Sequence, residues 1–257
     1  MTQFLGGAAG LDPISQFNIK SLLDINVGNL QLDFTNSTFF MVLAVALTLL
    51  FFSAAANRGG LVPNRLQSLG EIGYTFVADM IRGTAGEEGL KFFPFVFTLF
   101  FFIFFANMIG MIPYAFTTTS HIVVTALLAL LVISIVLIYG FYKNGLGFLK
   151  LFAPSGAPWY IYILLIPIEV ISFIARPLTL SLRLFANMLA GHIMLKLFAG
   201  FAVALFAAGG AYIALAPLAF AMGVALNALE LLVAGLQAYV FAILTCVYLN
   251  DALHPSH

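Results

Sequence analysis

The sequence predicts an all-α membrane protein with an amphipathic helix lying on the membrane surface. Three observations carry that reading. Hydrophobic residues make up 63% of the 257 positions and charged residues only 8%, far from the balance of a water-soluble domain. The apolar residues are gathered into long runs rather than alternating with polar ones, and 15 of the 20 charged residues fall outside those runs. Mean hydropathy is +1.09. The zero net charge says nothing by itself about nucleic acid or an acidic substrate, so the placement of the charges must be read instead; no nucleic-acid partner is expected.

The first element is a polar arm, residues 1–36, with polar groups throughout and Asp12, Asp24 and Asp33. It has neither the basic start and apolar run of a secretory signal nor the Arg-rich, acid-poor character of a transit peptide. Residues 37–257 read as one polytopic membrane domain. A helix needs about 20 apolar residues to cross the bilayer core, because only a helix satisfies all its backbone polar groups internally. Residues 38–56, 92–112 and 122–142 meet that requirement without a single charge. Between the first two lies "RLQSLGEIGYTFVADMIRGTAGEEG", where Leu66, Leu69, Ile72, Tyr74, Phe76, Val77, Met80 and Ile81 recur at near-helical intervals. That is the pattern of the surface helix, with an ordinary loop as the alternative. Two later stretches, about 160–200 and 210–249, are apolar for twice the spanning length. At ~1.5 Å per residue each is either a hairpin of two spans or one long, steeply inclined helix, and periodicity alone does not choose.

Orientation follows from Lys and Arg, which are retained on the cytoplasmic side. Arg58, Arg65, Arg82 and Lys91 fall between the first two spans, Lys143 and Lys150 follow the third, and Lys20 is the only basic residue of the arm. The amino terminus is therefore placed outside. With both long stretches as single helices there are about five crossings and the carboxyl terminus is inside. Lys196 then sits near the outer surface, against the rule but not enough to reverse it. The lone cysteine, Cys246, reads as a packing residue.

A few ionisable groups remain inside the apolar stretches, where a charge costs about 2.5 to 3.5 kcal/mol on insertion scales. Glu169, Arg176 and Arg183 are seven residues apart, a step that drifts only ~20° around a helix, so all three share one face. Asn187 joins them one turn on, whereas His192 points elsewhere and lies ~13 Å further along the axis from Arg183. In the last stretch Asn227, Glu230 and Gln237 form one stripe, with Glu230 the only charge across it. If the two long helices run antiparallel, Gln237 lies level with Arg183, and Glu230 with His192. Arg183 then has no countercharge in its own chain, which suggests that a second protein supplies it. A permanently charged guanidinium beside a His and a Glu that both titrate suits proton movement past a fixed positive barrier. Arg176, beside Pro177, reads as structural, His121 as a helix-start residue, and His254 and His257 as tail residues.

The segments "RPLTLSLRLFANMLAGH" and "ALELLVAGLQAYVFAIL", together with "MIGMIPYAFTTTSHI" at residues 108–122, closely resemble subunit a of F-type ATP synthases. The resemblance implies a proton-channel stator subunit, not itself catalytic and without cofactor or metal, beside a rotating ring of small subunits that each carry a mid-membrane carboxylate. It also implies a peripheral-stalk partner and two long inclined helices wrapped along the ring, in a bacterial inner membrane or, as the alternative, a mitochondrial one. By that resemblance Arg183 matches the indispensable arginine, and Asn187, His192, Glu230 and Gln237 match polar positions lining the proton path. Glu169 is the candidate for the inner cavity. His192 and Glu230 are exchanged relative to one branch of the family, as is typical of mitochondrial and related bacterial members.

Other classes fit less well. A secondary transporter with a proton-coupled site is the runner-up, but it would show paired repeats and broken helices around a substrate. The "APSGAP" segment has no partner histidine for serine chemistry, and haem ligation has only His121 and His192 to draw on near the membrane.

Overall fold

The computed structural model describes residues 18–19, 21–27, 30–56, 64–112, 115–151 and 159–254. Lys20, Arg58, the "APSGAP" segment, His257 and most of the amino-terminal arm lie outside those residues. Six α-helices carry the fold: α1 (Asn36–Ala56), α2 (Arg65–Gly89), α3 (Phe93–Gly110), α4 (Ile122–Asn144), α5 (Trp159–Ala208) and α6 (Ala216–Leu253). Five helical stretches are long and apolar enough to cross a membrane, α2 and α3 counting as one.

The described part of the arm holds an element that the sequence reading gave no structure, an antiparallel pair of strands, β1 (Ser21–Val27) and β2 (Leu30–Thr35). Its strands alternate apolar and polar residues, "SLLDINV" and "LQLDFT", at the two-residue period of a half-buried ribbon. The ribbon runs straight into α1, whose first turn is capped by the Thr35 hydroxyl accepting from the Thr38 amide at 3.3 Å.

The "RLQSLGEIGYTFVADMIRGTAGEEG" segment is a helix, not a loop. Asn64 caps it by accepting from the Arg65 amide at 2.8 Å. Along α2 the apolar residues divide: Leu66, Leu69, Ile72, Tyr74 and Phe76 face outward, and Val77, Met80 and Ile81 enter the core.

Both long stretches are single helices rather than hairpins. At ~1.5 Å per residue α5 is ~75 Å long, more than twice the bilayer core, so it must incline steeply or run partly along the surface. Gly209 and Gly210, with φ of 71° and 60°, turn the chain between α5 and α6 through backbone conformations that a side chain would strain. The helices then return side by side and antiparallel, which sets the level of every polar residue on one against the other.

In lipid the hydrophobic effect does not pull helices together, so close packing must. α6 lies at the centre, against α2, α3, α4 and α5. Its buried seam is built of small residues, Ala234, Ala238, Ala242, Cys246 and Ala252, all fully buried, which let neighbouring backbones approach. Bulk comes from α3, whose Phe97 and Phe101 meet Phe52 of α1 edge-on at 4.7 and 4.6 Å. Within α5 the stripe Leu180, Leu184 and Met188 is buried, while Ile171, Ile174, Leu178, Val203 and Phe206 face away from the chain.

Candidate functional site

The polar residues of α5 and α6 gather into two groups with Arg183 between them. The first surrounds His192. Its Nε2 lies 2.9 Å from the Thr117 hydroxyl and 3.6 Å from Glu230 Oε1, so the pairing at one level that the antiparallel register predicts is met. Glu230 is only 5% exposed, and neither of its carboxylate oxygens has a hydrogen-bond partner among the described residues. A buried carboxyl without a hydrogen bond is an exception among native polar groups, and such exceptions gather at functional sites.

Room for that carboxyl comes from Gly191. A Cβ there would lie 2.7 Å from Glu230 Oε1, so any larger residue would push the carboxyl from this position. His192 also lines a cavity of about 980 Å³, together with Lys196, Asn227, Phe116 and Asn36. Asn36 begins α1 and the cavity also touches Gly110, the last residue of α3. These are the helix ends at which positive-inside counting predicts the outer surface.

The walls of this region are held by a network that the sequence reading did not reach. Asn107, fully buried in the otherwise apolar α3, donates from Nδ2 to the Ala234 carbonyl at 3.0 Å and accepts from the Thr119 hydroxyl at 2.8 Å. It ties α3, α6 and the turn before α4 together. Thr125 and Ser181 bring their hydroxyls within 3.1 Å, joining α4 to α5. A lone amide in "FFFIFFANMIG" and four hydroxyl residues in a row, "TTTS", are the signals from which these roles were legible, since buried polar side chains need partners. His121 begins α4 with its ring stacked on Phe116 at 5.0 Å, the helix-start position expected of it. Burial there pushes its pKa below the ordinary histidine value.

The second group lies at the opposite end of α5 and α6. Arg176 reaches Asp251 Oδ2 at 2.6 Å and Glu169 Oε1 at 3.6 Å, and its guanidinium also lies over the rings of Phe173 and Tyr248. Asp251 was not among the residues singled out from sequence. Glu169 is therefore not a free carboxylate but one arm of an acid–guanidinium–acid bridge. Nearby, Asn144 donates to the Ala252 carbonyl at 2.7 Å and Lys143 to the Leu253 carbonyl at 3.4 Å, satisfying the last turn of α6.

Between the groups, Asn187 donates from Nδ2 to Gln237 Oε1 at 3.0 Å. Gln237 thus pairs one turn along from Arg183 rather than with Arg183 itself, because two inclined helices drift out of strict register over several turns. Gln237 Nε2 is buried and has no partner among the described residues. Arg183 is exposed, and no carboxylate among the described residues lies within ion-pair distance of it, in contrast to Arg176. The surface around it, Thr179, Ala186, Asn187 and Ala190, is also exposed and built of small side chains, the composition that lets another helix approach closely in a membrane. α5 and α6 stay helical through all these positions, without the broken helices of a transporter substrate site.

Comparison with known proteins agrees with this geometry. A family model described as ATP synthase A chain matches residues 38–250. ATP synthase subunit a of Hyphomonas neptunium is 71% identical over 96% of this chain and 98% of its own length. The subunits a of Mesorhizobium japonicum and Maricaulis maris are each 59% identical, over 96% and 97% of this chain and 98% and 100% of their own lengths. On that coverage and identity, the chain belongs to the ATP synthase A chain family.

Proposed function

We propose that this chain is the proton-translocating stator subunit of the membrane sector of an F-type ATP synthase, forming two offset half-channels separated by Arg183. The observation that carries the reading is the position of Arg183. It sits exposed between the His192–Glu230 cavity and the Glu169–Arg176–Asp251 cluster, with no carboxylate of the described chain within ion-pair distance.

Protons reach the rotor from outside by way of His192 and Glu230, with Asn187 and Gln237 as polar lining toward Arg183. They neutralise a carboxylate on a ring subunit, which then faces lipid without the cost of a charge. After nearly a full turn the carboxylate loses its proton to the inner side, where Glu169 lines the exit. Arg183 attracts the anion by about 4 kcal/mol at ~4 Å with an effective dielectric of ~20, and repels protons that would cross between the two sides. The membrane potential adds about 2.3 kcal/mol per charge per 100 mV and biases the direction. The subunit performs no covalent chemistry; the catalysis belongs to the assembled complex, in which a peripheral-stalk subunit is a further partner. The amino terminus lies outside a bacterial inner membrane, the carboxyl terminus inside, and α2 rests with its outward apolar residues at the membrane surface.

Arg183→Ala in the assembled complex tests the reading. ATP-driven pumping in inverted vesicles and gradient-driven ATP synthesis should both be lost. Retained coupled pumping would overturn it.

A further inference from the structure

Thr117 stands outside every role given so far, yet its hydroxyl lies within hydrogen-bond distance of the histidine of the proton path. The hydroxyl oxygen lies 2.9 Å from His192 Nε2 and 3.3 Å from the Gly110 carbonyl oxygen. Thr117 is 4% exposed, and its backbone is held by the Ser120 hydroxyl, which donates to the Thr117 carbonyl at 2.6 Å. The side chain is also wedged against the end of α3: a Cβ on Gly110 would lie 2.8 Å from Thr117 Cγ2 and 3.0 Å from its hydroxyl oxygen. The hydroxyl therefore keeps its place between a carbonyl and an imidazole nitrogen.

We infer that Thr117 is a positioning residue that decides which nitrogen of His192 carries the proton. A hydroxyl has one hydrogen, and a carbonyl can only accept. When Thr117 donates to Gly110, its lone pair faces Nε2, so Nε2 must be the donor. The neutral ring then holds its proton on Nε2 and leaves Nδ1 unprotonated, and an arriving proton is taken at Nδ1. The Nε2 proton lies between Thr117 at 2.9 Å and Glu230 Oε1 at 3.6 Å. Transfer from the imidazolium to the ionised Glu230 carboxylate leaves a neutral acid and, transiently, a neutral ring protonated at Nδ1, while the Thr117 hydroxyl turns from Gly110 to donate to the vacated Nε2. Exchange with water, one proton lost from Nδ1 and one gained at Nε2, restores the resting tautomer as the hydroxyl turns back to Gly110. One hydroxyl thus stays bonded to Nε2 in both protonation states of the ring, as the partner of a titrating histidine must. Among the described residues, the other charged or titratable groups near the ring are Glu230 on α6, Lys196 one turn along α5 in the same cavity, and His121 on the Thr117 turn, stacked on Phe116. α3 contributes the uncharged Gly110.

This inference rests on the proposed proton path through His192, and its test separates the two. Assembled complexes carrying Thr117→Val, Thr117→Ser or His192→Ala are reconstituted, and gradient-driven ATP synthesis per assembled complex is followed against the pH of the outer compartment. Val removes the hydroxyl at nearly constant shape; Ser restores it. Thr117→Val should slow synthesis about tenfold, as expected for a lost hydrogen bond to an ionising group, and shift the outer-side pH dependence, while Thr117→Ser keeps the wild-type profile. A Val variant with wild-type rate and profile, or a Ser variant as impaired as Val, overturns the inference and leaves the path intact. Wild-type synthesis in His192→Ala overturns the path itself. Should the Val complex not assemble, nitrogen-15 NMR of labelled histidines in the wild-type complex, assigned by difference from His192→Gln, decides. A neutral ring protonated at Nε2 supports the inference, and one protonated at Nδ1 overturns it.

Discussion

Replacing Gly191 with alanine adds a single methyl group at the point where α5 and α6 approach over Glu230. Its Cβ would lie 2.7 Å from Glu230 Oε1 and 2.8 Å from Cδ, where ordinary contact begins at 3.4 Å. The carboxyl must therefore retreat by about 0.7 Å, and it has little space to do so, being 5% exposed on a helix packed along its whole inner face. Forcing a methyl into such a contact costs about 1 to 3 kcal/mol. Expressed as a barrier to proton transfer, that is a slowing of about 5- to 150-fold. The assay is ATP-driven acidification of inverted vesicles, normalised to assembled complex. Gly235→Ala on α6 is the control, since its added Cβ would meet nothing closer than Phe104 at 3.8 Å, and it should pump as the wild type does. If Gly191→Ala pumps at the wild-type rate in a fully assembled complex, the tight fit between Gly191 and Glu230 does not govern proton transfer and the reasoning fails.

Two further substitutions probe the ends of the site. Asp251→Ala leaves Arg176 with only the longer Glu169 contact; because both groups of the stronger pair are mostly buried, stability should fall by up to about 3 kcal/mol, read as a lower thermal midpoint of the purified complex, and an unchanged midpoint would remove Asp251 from the structural account. Asn107→Leu strips the Thr119 hydroxyl of its acceptor and frees α3 from α6; the cost of about 1 to 3 kcal/mol for a buried unsatisfied group should appear as reduced accumulation of the chain in the membrane, whereas normal accumulation would show that the network does not hold these helices.

The helices were legible in the sequence because a span in lipid must be helical and must be apolar for its full length, so "NSTFFMVLAVALTLLFFSAAA" and "IVVTALLALLVISIVLIYG" could form little else. Whether residues 160–200 turn back on themselves was not legible from periodicity, since a hairpin and an inclined helix share it. The strand pair was missed because all thirteen of its residues fall in a polar arm with no long apolar run, where short alternation competes with loop. Of the site, the residues whose charge is costly in lipid declared themselves: Arg183, Glu230 and His192. The pairing of Asn187 with Gln237 required the real drift between two inclined helices, which a strict antiparallel register does not contain. Thr117, Asn107 and Gly191 were harder still. The lone amide of α3 and the "TTTS" run mark polar side chains that need partners, but which neighbouring helix supplies them is not in the sequence, and a missing Cβ leaves no mark at all.

Arg176 and Arg183 together make the strongest case for what is fixed and what is left open. They stand seven residues apart on the same helix, so both present themselves to the same side of α5. Around Arg176 the chain assembles two carboxylates and two aromatic rings; it can therefore neutralise and hold a guanidinium in this helix where that is what the fold requires. Two turns away no carboxylate among the described residues pairs with Arg183, which lies on a surface of small side chains, although a resident carboxylate at ~4 Å would stabilise it by about 4 kcal/mol at an effective dielectric of ~20. On the function proposed above, a resident acid would hold that energy permanently and each arriving rotor carboxylate would have to displace it, whereas a cation that pairs with no described carboxylate of its own chain offers the same attraction to every rotor carboxylate in turn. On that proposal the cost of carrying an uncompensated charge into the membrane, about 2.5 to 3.5 kcal/mol, is offset by the partner in the assembled complex, which ties the stability of this helix to that partner's presence.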